Sequence, residues 1–155
     1  MNVEEFLGQE IIDQVSGLKG VCTSITFKHT GSIVIGIQPR GDGNTLPDAQ
    51  NIDPDAIECV IDGKRIPIVP VTDPTDYLGK MVKERVTSLI GLAIERAIYA
   101  NGCEFYRVRH QKVGQYGEIV WSYLPSIDLS LVEEKNPTSV PTSRTGGPSE
   151  AVPRR

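Results

Sequence analysis

The stretch from Met81 to Gly102 places Val82, Val86, Leu89, Ala93 and Ala97 at the spacing of a helical apolar stripe. Charged residues lie between them, and Asn101-Gly102 stands where a helix would stop. A different pattern runs earlier in the chain. Val21, Thr23, Ile25 and Phe27 alternate with Cys22, Ser24 and Thr26, the two-residue period of a strand with one buried face. His29-Thr30-Gly31 then supplies a turn in which Gly31 is free to take a positive φ, and the β-branched run from Ser32 to Ile37 forms the returning strand.

The two patterns belong to one repeat. Leu7 to Pro39 aligns without a gap on Leu78 to His110 at a shift of 71 residues. Leu7/Leu78, Gly8/Gly79, Val15/Val86, Leu18/Leu89, Gly20/Gly91 and Gly31/Gly102 are identical, and Gly43/Gly114 and Pro54/Pro125 keep the same shift. Ile11/Val82, Asp13/Glu84, Ser16/Thr87, Val21/Leu92, Phe27/Ile98 and Ile37/Val108 are similar. A duplicated unit keeps its fold where local propensity drifts, because tertiary packing overrides weak intrinsic preference. Met81 to Ala97 is therefore predicted as strand, with Leu92, Ile94, Arg96 and Ile98 inward and Ala93, Glu95 and Ala97 outward. A helix there would undo the duplication.

Each unit has a first strand (Ile11 to Val15; Val82 to Val86), a glycine-containing loop, a long hairpin and a polar excursion. A short closing strand follows near Ala56 to Ile61 or Ile127 to Val132. Gly20, Gly31, Gly91 and Gly102 are expected at structural turns. In the first unit, Val60 to Ile66 adds a hairpin about the turn dipeptide Asp62-Gly63. Small units of short strands tend to roll into partly open barrels, because closure removes exposed edges. The expected division is a first barrel unit over 1–69, a linker over 70–77, a second unit over 78–134 and a tail over 135–155. That tail is rich in Pro, Ser, Thr and Gly and nearly free of large apolar side chains, a composition that predicts disorder.

Composition narrows the function classes. With 155 residues, 39% of them hydrophobic, the chain can bury a core. Its net charge of -4 argues against a generic nucleic-acid binder. Three cysteines without a C-x-x-C pair suggest neither a disulfide framework nor a thiolate zinc site, and fit a reducing compartment. The acidic start MNVEEFLGQEII and the lack of a long apolar run predict neither export nor membrane anchoring.

The opening "LG…I.D.VSGLKGVCTSI" resembles the KOW-type entry of an SH3-like barrel. Leu7, Gly8, Asp13, Val15, Ser16, Gly17, Gly20, Val21, Gly31 and Gln38-Pro39 in the first copy, Asn101-Gly102-Cys103, Tyr106 and Val108 in the second, and Thr145-Gly146-Gly147-Pro148 in the tail resemble a group of small bacteriophage proteins. Their single domain ends in a Pro-rich TGGP segment. The second copy departs from them, with Ser88 for the turn glycine, Glu84 for the aspartate and Arg109-His110 for Gln-Pro. The repeat and the tail's composition predict an all-β fold of two tandem small β-barrels followed by a disordered C-terminal tail, and the resemblance implies that the barrels are SH3-like. It further implies phage origin and a role in the virion or during infection, placing the protein in the virion or the host cytoplasm, and it supplies no active residues.

No catalytic constellation emerges from the residues. His29 and His110 have no serine or cysteine arranged near them in sequence for nucleophilic work. Cys22, predicted on the outward side of its strand, and Cys103, after a turn glycine, read as small packing residues. Asp13 and Glu84 share one position and are expected to accept hydrogen bonds from the following turn. Asp42, Asp48, Asp53 and Asp55 crowd the first excursion without the order of a calcium loop, and no phosphate-cradling glycine loop is present. Neither a metal nor a cofactor is indicated.

The chemistry that does stand out is charge asymmetry. Residues 1–60 carry 3 basic and 9 acidic side chains, whereas residues 78–112 carry 7 basic and 3 acidic. Arg96, Arg107, Arg109 and Lys112, near Tyr106 and Trp121, are the candidate partner-binding residues. The expected partner is a protein, either a phage virion component or a neighbouring copy joined head to tail. A host defence protein or a small anionic ligand such as a signalling nucleotide is the alternative, and nucleic acid is the third reading, weakened by the acidic first unit.

Overall fold

A computed structural model describes residues 2–61, 66–68 and 75–133. The expected Asp62-Gly63 turn, most of the 70–77 linker and the 135–155 tail with its TGGP segment lie outside the described residues. The fold is all-β, with no α-helix among the described residues. The strands of the first half are β1 (Glu10–Asp13), β2 (Lys19–Lys28), β3 (Ile33–Pro39), β4 (Gln50–Ile52) and β5 (Ile57–Ile61). Those of the second half are β6 (Met81–Glu84), β7 (Ile90–Tyr99), β8 (Glu104–His110), β9 (Trp121–Pro125) and β10 (Leu129–Leu131).

The helical stripe between Met81 and Gly102 therefore folds as β6 and β7, and the first three strands of each half superpose in sequence at the shift of 71. Their registers superpose too. Glu10 pairs Val21 as Met81 pairs Leu92, and Gly20 pairs Pro39 as Gly91 pairs His110. Beyond the loop after β3 the shift becomes 72, since Ile35 pairs Ile52 whereas Tyr106 pairs Leu124. Pro54 and Pro125 are consequently not counterparts. Pro54 opens a 3-10 turn, and its equivalent is Ser126.

Both long strands carry a β-bulge at one repeat position, between Cys22 and Ser24 and between Ala93 and Glu95. An extra residue there inverts the alternation on its N-terminal side. This corrects the predicted faces. Cys22 and Ala93 are fully buried, not outward, whereas Ile25 and Ile98 face inward as expected. The first strands also end earlier than predicted, at Asp13 and Glu84, leaving Val15 and Val86 more than four-fifths exposed in the turns that follow.

Gly31 and Gly102 sit in turns with φ of 91° and 85°. Gly20 and Gly91, expected at turns, instead lie inside β2 and β7. Their requirement is space. A Cβ at either would come within 3.0 Å of the facing strand, against Ile37 and the Gln38 carbonyl in one case and Val108 and the Arg109 carbonyl in the other.

The two halves form one open sheet. In each half the N-terminal part of the long strand pairs the short first strand. The C-terminal parts of β2 and β7 pair each other, Ser24 with Tyr99 through Lys28 with Glu95. This join is symmetric. Tyr99 is the counterpart of Lys28 and Glu95 that of Ser24, so the ladder maps onto itself about a local two-fold axis at Thr26 and Ala97. The flanking bonds obey the same axis, His29 N–H donating to the Ile94 carbonyl and Ala100 N–H to that of Thr23. A continuous antiparallel run β4–β3–β2–β7–β8–β9 results.

Each half keeps a core. Phe6, Leu7, Ile11, Cys22, Ile25, Ile35 and Ile37 form the first, completed by Ile98 and Ala100 from the second half. Tyr77, Val82, Ala93, Tyr106, Val108 and Leu129 form the second. Position for position, Phe6, Ile11, Cys22, Ile35 and Ile37 correspond to Tyr77, Val82, Ala93, Tyr106 and Val108. Ile25 breaks the pattern, because its counterpart is Arg96.

Candidate protein-interaction face

The candidate residues divide between the interior and one exposed face. Tyr106 belongs to the interior, which corrects its placement among partner-binding residues. It is fully buried and meets Tyr77 edge to face with ring centroids 5.5 Å apart. Its hydroxyl accepts from Tyr77 N–H at 3.2 Å and donates to the Thr75 carbonyl at 3.4 Å, and burial pushes the phenol up to about 12.

Arg96 also points inward. Its Nε donates to Glu104 Oε1 at 2.5 Å, and its guanidinium lies 6.0 Å from the Phe27 ring, its partner across the β2–β7 ladder. Glu104 is the counterpart of Ile33. Where the first core has Ile25 with Ile33 packed against it, the second half has an Arg96–Glu104 ion pair, in which each charge compensates the other.

Trp121 and Tyr123 form the exposed site, over a half-buried Arg107. On β8, residues 104, 106 and 108 fill the core, so Phe105, Arg107 and Arg109 project from the other side. On β9 the same alternation projects Trp121 and Tyr123 beside them, because Arg109 pairs Trp121 and Arg107 pairs Tyr123. The Arg107 guanidinium carbon sits 3.9 Å from the Trp121 ring centroid and 5.8 Å from that of Tyr123, while Nη1 donates to Glu95 Oε1 at 3.3 Å. Stacking of a cation on an exposed ring contributes roughly 0.5–1 kcal/mol, which holds the indole in place without hiding it. Trp121 remains 48% and Tyr123 62% exposed. Tyr99 and Phe105, edge to face at 6.1 Å, extend the aromatic surface toward the two-fold axis.

The surrounding loop, residues 111–120, holds exposed Lys112 together with exposed Val113, Tyr116 and Ile119. Tyr123 and Tyr116 escaped the sequence reading. The alternation Trp121-x-Tyr123 was the signal available for the first, and nothing in the pattern marked the second.

The backbone of β9 is part of this surface. His110 N–H donates to the Val120 carbonyl, which aims residues 120, 122 and 124 at β8 and leaves the N–H and C=O of Trp121 and Tyr123 directed away from it. Among the described residues β9 pairs only β8, and β4 at the far end of the run pairs only β3.

Two further groups lie outside that stack. Asp13 and Glu84 act as expected: Asp13 accepts from Val15 N–H, Ser16 N–H and the Ser16 hydroxyl, and Glu84 from Val86 N–H, Thr87 N–H and the Thr87 hydroxyl. The hydroxyl bonds, and then the backbone bonds, hold both carboxyls below their ordinary range. His110 is not isolated from serine as the sequence suggested, since its Nε2 lies 2.8 Å from Ser122 Oγ across the β8–β9 ladder. No hydrogen bond to its Nδ1 is found among the described residues, so the pair lacks the orienting group of a nucleophilic triad.

Asp42 caps its own turn through Asn44 and Thr45 N–H, and Asp53 caps the 3-10 turn through Asp55 N–H. No helix among the described residues is long and apolar enough to cross a membrane. No family model, curated protein or solved structure matches the chain.

Proposed function

We propose that this chain is a non-enzymatic protein-interaction module whose partner docks on the β8–β9 face. The single observation that carries the reading is the Arg107–Trp121–Tyr123 stack, an arginine of β8 held in register under two rings of the edge strand β9 that are left open. Interfaces are enriched in these residue types, because rigid aromatic area and a planar guanidinium bind with little loss of conformational freedom. Arg109 and Lys112 add positive charge at the rim, so an acidic partner surface is favoured.

Each five-strand half is read as a partly open SH3-like barrel, the two being fused through β2 and β7. With the resemblance to small phage proteins, this supports a virion accessory component, in capsid decoration or at the head-to-tail junction. The test is mass spectrometry of purified particles carrying the wild-type chain or the double variant Arg109→Glu/Trp121→Ala. Incorporation of the wild type and its loss in the folded variant support the reading. Absence of the wild-type chain from particles removes the virion role, and equal incorporation of both removes the assigned face.

A further inference from the structure

We propose that the partner of the β9 edge is the β4 edge of a second copy of this chain, so that copies assemble head to tail. The inference rests on the interaction reading above and deepens it by naming the partner.

The strand count supplies the geometry. The run β4–β3–β2–β7–β8–β9 has six antiparallel strands, so its two outer strands point in opposite directions. A copy displaced along the run therefore presents its β4 antiparallel to β9, and the alternation continues across the junction. The outward N–H and C=O of Trp121 and Tyr123 meet an edge whose own free groups are those of Asn51, since Ile52 and Gln50 face β3 by the repeat's register.

Charge selects this junction over the two-fold ones. Asp48, Asp53 and Asp55 flank β4, and Asp48 and Asp55 take part in no salt bridge among the described residues. Arg109 and Lys112 stand beside β9, and they likewise remain unpaired by carboxylates once Arg96 and Arg107 are matched to Glu104 and Glu95. Joining β9 to β9 would set arginine against arginine, and joining β4 to β4 would set aspartate against aspartate. Only β9 on β4 brings opposite signs together. Such a contact is heterologous and leaves one edge free at each end, so it builds rings or filaments.

Sedimentation velocity of the full chain over a concentration and salt series tests the proposal. The wild type is expected to assemble with rising concentration and to dissociate in high salt. Arg109→Glu and Asp48→Lys should each weaken association about tenfold or more, while an equimolar mixture of the two recovers assembly because every alternating junction again pairs opposite charges. Tyr123→Pro, which removes an outward N–H and spares the bonds to β8, should also abolish assembly, with circular dichroism confirming that it folds.

A wild type that stays monomeric at all concentrations, a mixture no larger than its separate components, or assembly undiminished in folded Tyr123→Pro would each overturn it. The two readings fail separately. A monomeric wild type whose Arg109→Glu/Trp121→Ala variant still loses particle incorporation removes the self-association and keeps the interaction face.

Discussion

Thr26 and Ala97 are counterparts in the repeat and also pair directly across β2 and β7, so the two halves meet about an axis that passes between them. Ile25 then faces Ile98, the counterpart of Phe27, and the first core is completed by side chains of the second half. Unfolding is expected to be a single transition. Trp121, the only tryptophan and a reporter of the second half, should lose its native emission together with the far-ultraviolet signal. Ile25→Ala in the first half should lower both midpoints together, at a cost of about 2–5 kcal/mol. A Trp121 transition unmoved by Ile25→Ala would show that the halves are energetically independent.

The ion pair that replaces two isoleucines gives a second prediction. Glu104 is almost wholly buried against a partly exposed Arg96. Removing one partner leaves the other uncompensated, so Arg96→Ile alone should destabilise by about 3 kcal/mol. The double variant Arg96→Ile/Glu104→Ile, which restores the residue types of Ile25 and Ile33, should recover most of that loss in urea denaturation. A double variant as unstable as the single one would contradict the equivalence.

Ser88 takes a φ of 61° where its counterpart Gly17 takes 70°. A side chain in the left-handed region is strained, so Ser88→Gly should stabilise by roughly 0.5–1 kcal/mol and Gly17→Ser should destabilise by a similar amount. Thermal melts of the two variants provide the comparison, and a destabilising Ser88→Gly would refute it.

Duplication, strand identity and the turn-capping carboxylates were all legible in the sequence, because glycines and apolar pairs recur at one shift wherever the backbone requires them. The bulges were not. One extra residue, Thr23 or Ile94, leaves no mark on composition yet turns Cys22 and Ala93 inward. Nor was the join of β2 to β7, since it uses residues that looked like ordinary hairpin strand. Arg107, Arg109 and Trp121 were found from charge and proximity in sequence, whereas Arg96 and Tyr106, equally near, turn inward because alternation separates 104, 106 and 108 from 105, 107 and 109. Tyr123 was missed for the complementary reason: its role comes from a ladder partner 16 residues away.

Buried Cys22 and exposed Cys103 should differ sharply in reactivity. Burial pushes the Cys22 thiol up to about 12, so almost no thiolate exists at pH 8. Peptide mapping after iodoacetamide treatment should find Cys103 alkylated in the native chain and Cys22 only after denaturation. Rapid native labelling of Cys22 would place the bulge wrongly.

The lowered carboxyls of Asp13 and Glu84 stabilise the fold above their unfolded values, 3.8 and 4.5, and that contribution fades as pH falls through their lower folded values. Urea midpoints should therefore drop with pH below about 4.5. In Asp13→Asn/Glu84→Gln the drop should be shallower, and an unchanged slope would assign acid sensitivity to other groups.

The most direct measurement of the interaction face is acrylamide quenching of Trp121 fluorescence. In the dilute free chain the indole should be readily quenched, and in the assembled or particle-bound protein it should be protected, with emission shifted to shorter wavelength. Quenching that is equally efficient in the free and the bound protein would contradict the placement of the interface on β8 and β9.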